Sequence, residues 1–264
     1  MAHYDNIRIG IKGPVASLTL HREKVHNALN MDMIRDLSGA FKELDENREI
    51  RIIVMRAEGK HFSAGADLHW MKGGADRSRE QLLSESKELS ALFRFIHNAE
   101  HVVVASVRGK VMGGANGLIA ASDIVVVEET AQFAFSEVRL GLIPATIAPY
   151  VLRKIGYSRS RELMLTGRLF DAGEAVSIGL AHIMCGQGKL EETVDELVRG
   201  LLSGGPGAMK GIKSLLDDLD GSVAPGHLSD YTAELIARFR TSEEGREGID
   251  AFFEKRKPGW HETY

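Results

Sequence analysis

The chain has 264 residues and is 44% hydrophobic, enough to bury a full-size core as one large domain or one domain with an appendage. Its 33 Lys and Arg against 37 Asp and Glu leave a net charge of -4, with no basic excess to make nucleic acid the main partner. One cysteine, Cys185, excludes an internal disulfide framework, no apolar run is long enough to span a membrane, and the N-terminal segment is charged where a signal peptide would be apolar, so a cytoplasmic protein is expected.

Ile7–Ile11 and Val15–Leu20 alternate around Gly13-Pro14 and read as a hairpin. Asn30 is placed to cap a helix with Ile34, Leu37, Phe41 and Leu44 on one face. Arg51–Ala57 reads as a strand, followed by a loop with small residues at its centre. A helix then carries Leu82, Leu89, Leu92 and Ile96, and Val102–Val107 is a strand running into a turn at Gly109. Ile124–Glu128 and Gln132–Phe135 are short strands, and Thr146–Ile155 is a helix ended by Gly156. Asp171 caps a helix through Ala172–Ser177, Ala181–Cys185 is a last strand, and Leu190–Leu202 is helical. The cluster Gly204-Gly205-Pro206-Gly207 is the best boundary, dividing an α/β core at 1–203 from a module at 204–264. Met209–Leu219, His227–Arg240 and Glu243–Lys255 all read as helix, and the apolar face of the last two is large for an appendage.

Several chemistries lack their motif. No P-loop, no G-x-G-x-x-G after a strand, no H-E-x-x-H and no G-x-S-x-G occurs. His97 and His101 have helical metal-ligand spacing but straddle a helix end, so no metal is expected. Cys185 ends an apolar strand and reads as packing.

The stretch Arg108–Pro144 carries the remaining signal. Gly113-Gly114 open a helix, which exposes unpaired N–H groups and the positive end of its dipole. The loop Ser63-Ala64-Gly65-Ala66-Asp67 also follows a strand. If both strand ends lie on one side of the sheet, their N–H groups converge on one oxygen, each worth on the order of 3 kcal/mol to a developing enolate. The same loops fit tight turns that pack helix on sheet, and Asp67 fits a cap for the helix beginning at Leu68. Glu137 sits alone among Phe133, Phe135, Val138, Leu140 and Leu142, a half-apolar setting that raises a carboxyl pKa and suits a proton carrier. From bare sequence a surface pair with Arg139 or Arg153 fits it better.

Together H-F-S-A-G-A-D-L, G-x-x-M-G-G-A-x-G-L-x-x-A-S-D and F-x-F-S-E-V-x-L-G-L-I-P resemble the enoyl-CoA hydratase/isomerase (crotonase) superfamily. The likeness runs from V-H-N-A-L-N to the terminal R-E-G-I-D-A-F-F-E-K-R-K-P. It implies an α/β spiral of ββα turns with a C-terminal all-helical trimerisation module, assembled as a homotrimer or dimer of trimers. It implies an acyl-CoA substrate and no cofactor beyond that CoA. By position, Ala66 and Gly114 match the two oxyanion-hole donors, and Glu137 matches the second of two hydratase acids. Ser63, Ala64, Asp67 and Leu68 fall on the loop lining the pantetheine arm, and Lys24, Val25 and Ala28 on the segment bordering the CoA. Lys255 matches a C-terminal lysine that reaches the CoA nucleotide of a neighbouring subunit.

The first hydratase acid belongs three residues after the oxyanion glycine, one helical turn on. Here that position is Gly117, and the adjacent Asn116 points about 100° away around a helix. Three readings stand. One is a hydratase using Glu137 alone, most similar to the methylglutaconyl-CoA hydratase group, with Gly117 leaving room for a branched or carboxylated acyl group and His69, Lys72 or Arg139 facing its carboxylate. The second is an enoyl-CoA isomerase, for which one Glu suffices. The third is a non-catalytic acyl-CoA or RNA-binding module, against which the charge and the retained Glu137 count.

Overall fold

The computed structural model describes residues 3–73, 77–220 and 224–261. In chain order the elements are β1 (Ile7–Lys12), β2 (Val15–Leu20), α1 (Met31–Glu46), β3 (Ile52–Ala57), α2 (Leu68–Lys72), α3 (Arg79–Asn98), β4 (Val102–Val107), β5 (Lys110–Met112), α4 (Ala115–Ala121), β6 (Ile124–Glu128), β7 (Gln132–Ala134), α5 (Ala148–Thr166), β8 (Phe170–Asp171), α6 (Ala172–Ser177) and β9 (Ile183–Cys185), then the helices α7 (Leu190–Leu202), α8 (Pro206–Leu219), α9 (Leu228–Thr241) and α10 (Glu243–Phe253). The chain divides into two compact units, Met1–Val194 and Asp195–Tyr264, and the division falls within α7.

The first unit holds a six-stranded sheet, β1-β2-β3-β4-β6-β9, and a three-stranded sheet, β5-β7-β8. The large sheet is parallel except for the β1–β2 hairpin. The chain passes from one sheet to the other and then into a helix: β4, β5, α4, then β6, β7, α5. These are the ββα turns of the expected α/β spiral. The central strands are apolar on both faces because both are covered, and every residue of β4 is buried.

Local signals explain most boundaries. The Asn30 side chain accepts from the Met33 N–H, and Ile34, Leu37, Phe41 and Leu44 of α1 are at most 1% exposed. Asp171 accepts from the Glu174 N–H at 2.8 Å and caps α6. A Ser78/Gln81 capping box starts α3, a signal the apolar periodicity missed. The buried face of α3 is Leu92, Phe93 and Ile96, while Leu82 is exposed. Gly156, expected to end a helix, breaks it at φ 69°, but a second helical segment resumes and runs to Thr166. The non-helical backbone of Gly156 kinks the chain there, and apolar packing of Leu163 carries the helix on.

The second unit is helical. The Glu244 carboxylate accepts from the Gly207 and Ala208 N–H groups, both at 2.8 Å, and so caps α8 from α10. Gly211 lies beneath the Phe239 ring, where any side chain would collide. Ile236, Ile249, Phe252 and Phe253 are left exposed.

Candidate active site

The site is built from three strand ends. After β2 the chain turns through two left-handed residues, His26 (φ 51°) and Asn27 (φ 52°). Neither is glycine, so this backbone is strained and needs local compensation. Asn27 supplies it. Fully buried, its Nδ2 donates to Glu58 O (2.9 Å) and His61 O (3.0 Å), and its Oδ1 accepts from the Arg22 N–H (2.9 Å). The loop after β3 is then sewn to this turn, with Ala64 N donating to His26 O, Leu29 N to Gly65 O and Asp67 N to Leu29 O. On its other side the loop joins β5, with Ser63 N donating to Lys110 O and Met112 N to Ser63 O.

At Gly65 (φ 86°) a side chain would lie 2.4 Å from Met112 O and 3.6 Å from Gly113 N. Only glycine permits this approach of two backbones. Ala66 and Gly114 follow directly on the two segments in contact. Leu29 bonds to the residues flanking Ala66, so the Ala66 N–H points away from Leu29. Among the described residues it has no partner, nor has the Gly114 N–H at the start of α4. The sequence's two candidate donor loops therefore lie against each other.

Glu137 arrives from the third strand end. β7 runs parallel to β5, and Gly113 N donates to Ala134 O at 2.8 Å. A short 3-10 turn, Ser136–Leu140, then carries the carboxyl over Gly113, with Oε1 3.4 Å from where a side chain there would begin. Glu137 forms no ion pair with Arg139 or Arg153, and its Oε2 is buried without a hydrogen-bond partner among the described residues. Burial pushes its pKa up from the ordinary value of 4.5.

Helix α4 is held at both ends. The fully buried Asn116 donates from Nδ2 to Gly113 O and Ala134 O, both at 3.0 Å, clamping the β5 and β7 ends together. At the far end Lys154 Nζ donates to Ile119 O at 3.2 Å, and burial lowers that ammonium to about 8.

Gly117 does not open a pocket, and the expectation of room for a branched or carboxylated group there is corrected. A side chain starting at Gly117 would lie 2.5 Å from Ile147 Cγ2 and 2.6 Å from two ring atoms of Phe93. The space is already filled. Ser63 is corrected too: it is fully buried, and its hydroxyl donates to Asn27 O (2.7 Å) and accepts from Gly65 N (3.2 Å), so it braces the loop. Asp67 caps α2 and pairs with Arg22 at 3.2 Å. Burial alone would raise its pKa, but the Trp70 N–H, the Arg22 guanidinium and the His69 N–H outweigh it and hold the carboxyl below its usual value. Ala28 is buried with its carbonyl bonded to Arg22, whereas Lys24, Val25, Ala64 and Leu68 are exposed along the rim. Lys255, exposed after α10 at φ 53°, belongs to the second unit. The sequence reading passed over Arg22, Asn27, Phe93 and Ile147. Only the H-N pair after an apolar strand hinted at Asn27.

His97 contacts Arg153, while His101 bonds to Leu44 O, and no group of three or more His, Cys, Asp or Glu side chains gathers among the described residues. Nor is any described helix long and apolar enough to cross a membrane.

The sequence model of the enoyl-CoA hydratase/isomerase family matches residues 10–263. The chain belongs to this family of enzymes. A crystal structure of an enoyl-CoA hydratase from Shewanella pealeana is 39% identical, with a TM-score of 0.93 over 97% of this chain and 96% of that one. The peroxisomal Δ(3,5)-Δ(2,4)-dienoyl-CoA isomerase of Arabidopsis thaliana is 32% identical over 96% of this chain and 94% of its own length. The short-chain-enoyl-CoA hydratase of Clostridium acetobutylicum is 28% identical over 96% of each. The relatives thus include both hydratases and isomerases.

Proposed function

We propose that the protein hydrates the double bond of an enoyl-CoA thioester, with Glu137 as its single acid and base. The thioester oxygen is held by the Ala66 and Gly114 N–H groups, which stabilise the enolate formed when water adds at Cβ. Glu137 takes a proton from that water and returns one to Cα. The observation that carries this reading is the half-buried Glu137 carboxyl over Gly113, whose Oε2 has no hydrogen-bond partner among the described residues, beside two backbone donors that also have none there. A structural role would have paired that carboxyl, which also counts against a non-catalytic binding module.

The exposed residues Lys24, Val25, Ala64 and Leu68 are candidates for holding the CoA, with Lys255 of a neighbouring subunit a candidate for its nucleotide, and the reaction needs no further cofactor. The methylglutaconyl-CoA hydratase resemblance favours a branched, carboxylated acyl chain. The exposed His69, Lys72 and Arg139 are candidate partners for its carboxylate. The working form is a homotrimer or dimer of trimers.

A specific observation favours a second reading, an enoyl-CoA double-bond isomerase. Moving one proton between two carbons needs only Glu137, and the position of a second acid is filled by Phe93 and Ile147. A panel of enoyl-CoA thioesters, followed by ultraviolet absorbance and product mass, separates the two. Water added to 3-methylglutaconyl-CoA or crotonyl-CoA supports the hydratase. Turnover of 3-enoyl-CoA with no gain of mass supports the isomerase, and acyl-CoA binding without turnover of any of them overturns both.

A further inference from the structure

We infer that Phe93 and Ile147 are specificity-determining residues, which fix the number of catalytic acids at one by occupying the place of a second carboxyl. This rests on the reading of Glu137 as the proton carrier. Position 117 lies three residues beyond Gly114, on the α4 face that continues from the oxyanion donor. From there a carboxyl would reach the acyl chain from a direction other than that of Glu137. In this chain the path is blocked from its first atom, with Phe93 Cε1 and Cζ at 2.6 Å and Ile147 Cγ2 at 2.5 Å.

The block is rigid. Phe93 is 0% exposed and Ile147 1%. The Phe93 ring meets Tyr150 edge-on, with centroids 6.1 Å apart and an interplanar angle of 61°, and Tyr150 meets His97 in the same way at 5.5 Å. The ring therefore cannot swing aside without disturbing α5. The two side chains also offer no polar atom to a second water, which needs two or more partners to be held. So the acid count is set by α3 and the start of α5, outside α4 and both oxyanion loops. A Gly117→Glu substitution alone cannot convert this site.

Two comparisons test this. Crotonyl-CoA hydration is measured for Phe93→Ala and for its double variant with Gly117→Glu, both carrying Ile147→Ala so that neither blocking side chain remains, and for Gly117→Glu in the parent. The double variant is expected to hydrate at least about tenfold faster than Phe93→Ala, a modest part of what a positioned acid contributes, while Gly117→Glu alone loses both folding stability and activity. The inference is overturned if Gly117→Glu alone melts like the parent and gains as much hydration as the double variant, or if the folded double variant gains none. Should the double variant not fold, a thermal-stability cycle decides. Gly117→Ala should lower Tm in the parent and lower it by less in the Phe93→Leu and Ile147→Ala backgrounds; equal losses would refute the steric block. Glu137→Gln is the control. Turnover that survives it removes the underlying reading, whereas turnover that needs Glu137 with no gain in the double variant removes only this inference.

Discussion

Glu137 is a carboxyl held where it is least comfortable. Its Oε2 is buried without a partner among the described residues, and its pKa is raised by desolvation. As a base it must be ionised, so turnover should fall as pH drops through an apparent pKa above 4.5, a pH–rate profile that checks the assignment. Glu137→Gln should lower kcat by at least about 100-fold, and an unchanged rate would remove the residue from the mechanism. The same burial has a cost in stability. Below the unfolded pKa of 4.5 both states are protonated and nothing is lost; as pH rises from there through the raised folded pKa, the unfolded chain releases its proton first and stability declines. Calorimetry should therefore find Glu137→Gln melting above the parent at about pH 7, with the gap closed at about pH 4. From sequence this residue was legible as an isolated acid in apolar surroundings. Its lack of an arginine partner was not, because Arg139 and Arg153 are near in sequence and only their side-chain directions decide the pairing.

At the scale of elements, the site depends on how three strand ends are tied. Asn27 satisfies two half-buried carbonyls and one N–H while holding a left-handed backbone. Asn27→Ala should cost about 2–4 kcal/mol in a denaturant melt, since it strands several polar groups at once. At Gly65 the two loops that carry the proposed oxyanion donors touch. Gly65→Ala should force them apart and lower kcat by about 100-fold or more, the scale of losing an oxyanion donor; full activity would show that the two N–H groups do not act together. Caps at Asn30 and Asp171 were readable because a cap is a local event, fixed within three or four residues. The resumption of α5 after Gly156 was not readable, because tertiary packing overrode a local stop signal.

For the whole molecule, large apolar side chains remain uncovered in both units. Ile143 in the first is 79% exposed, and Phe252 and Phe253 in the second are 78% exposed each. A soluble monomer rarely leaves such groups bare. Sedimentation should give the mass of three or six chains. Phe252→Glu with Phe253→Glu should shift it toward smaller species while far-ultraviolet circular dichroism is kept; a parent that runs as a monomer would end the assembly proposal.

The sequence by itself determined the strand and helix order, the helical C-terminal region and the family, and it supplied the candidates for donor glycine and lone acid. Each rests on local periodicity, on turn chemistry or on motifs in a fixed order, all carried by neighbouring residues. Only the tertiary structure decided what surrounds them. Gly117 looked like open space because a glycine has no side chain, but Phe93 and Ile147 come from elsewhere in the chain to fill it. Ser63 looked like a ligand contact until its hydroxyl was found bonded to Asn27 O and Gly65 N. Asn116 looked like a failed replacement acid until it proved to clamp β5 to β7. In each case the deciding atoms include some from another segment, and close packing leaves the space at a position to whichever side chain the fold brings there.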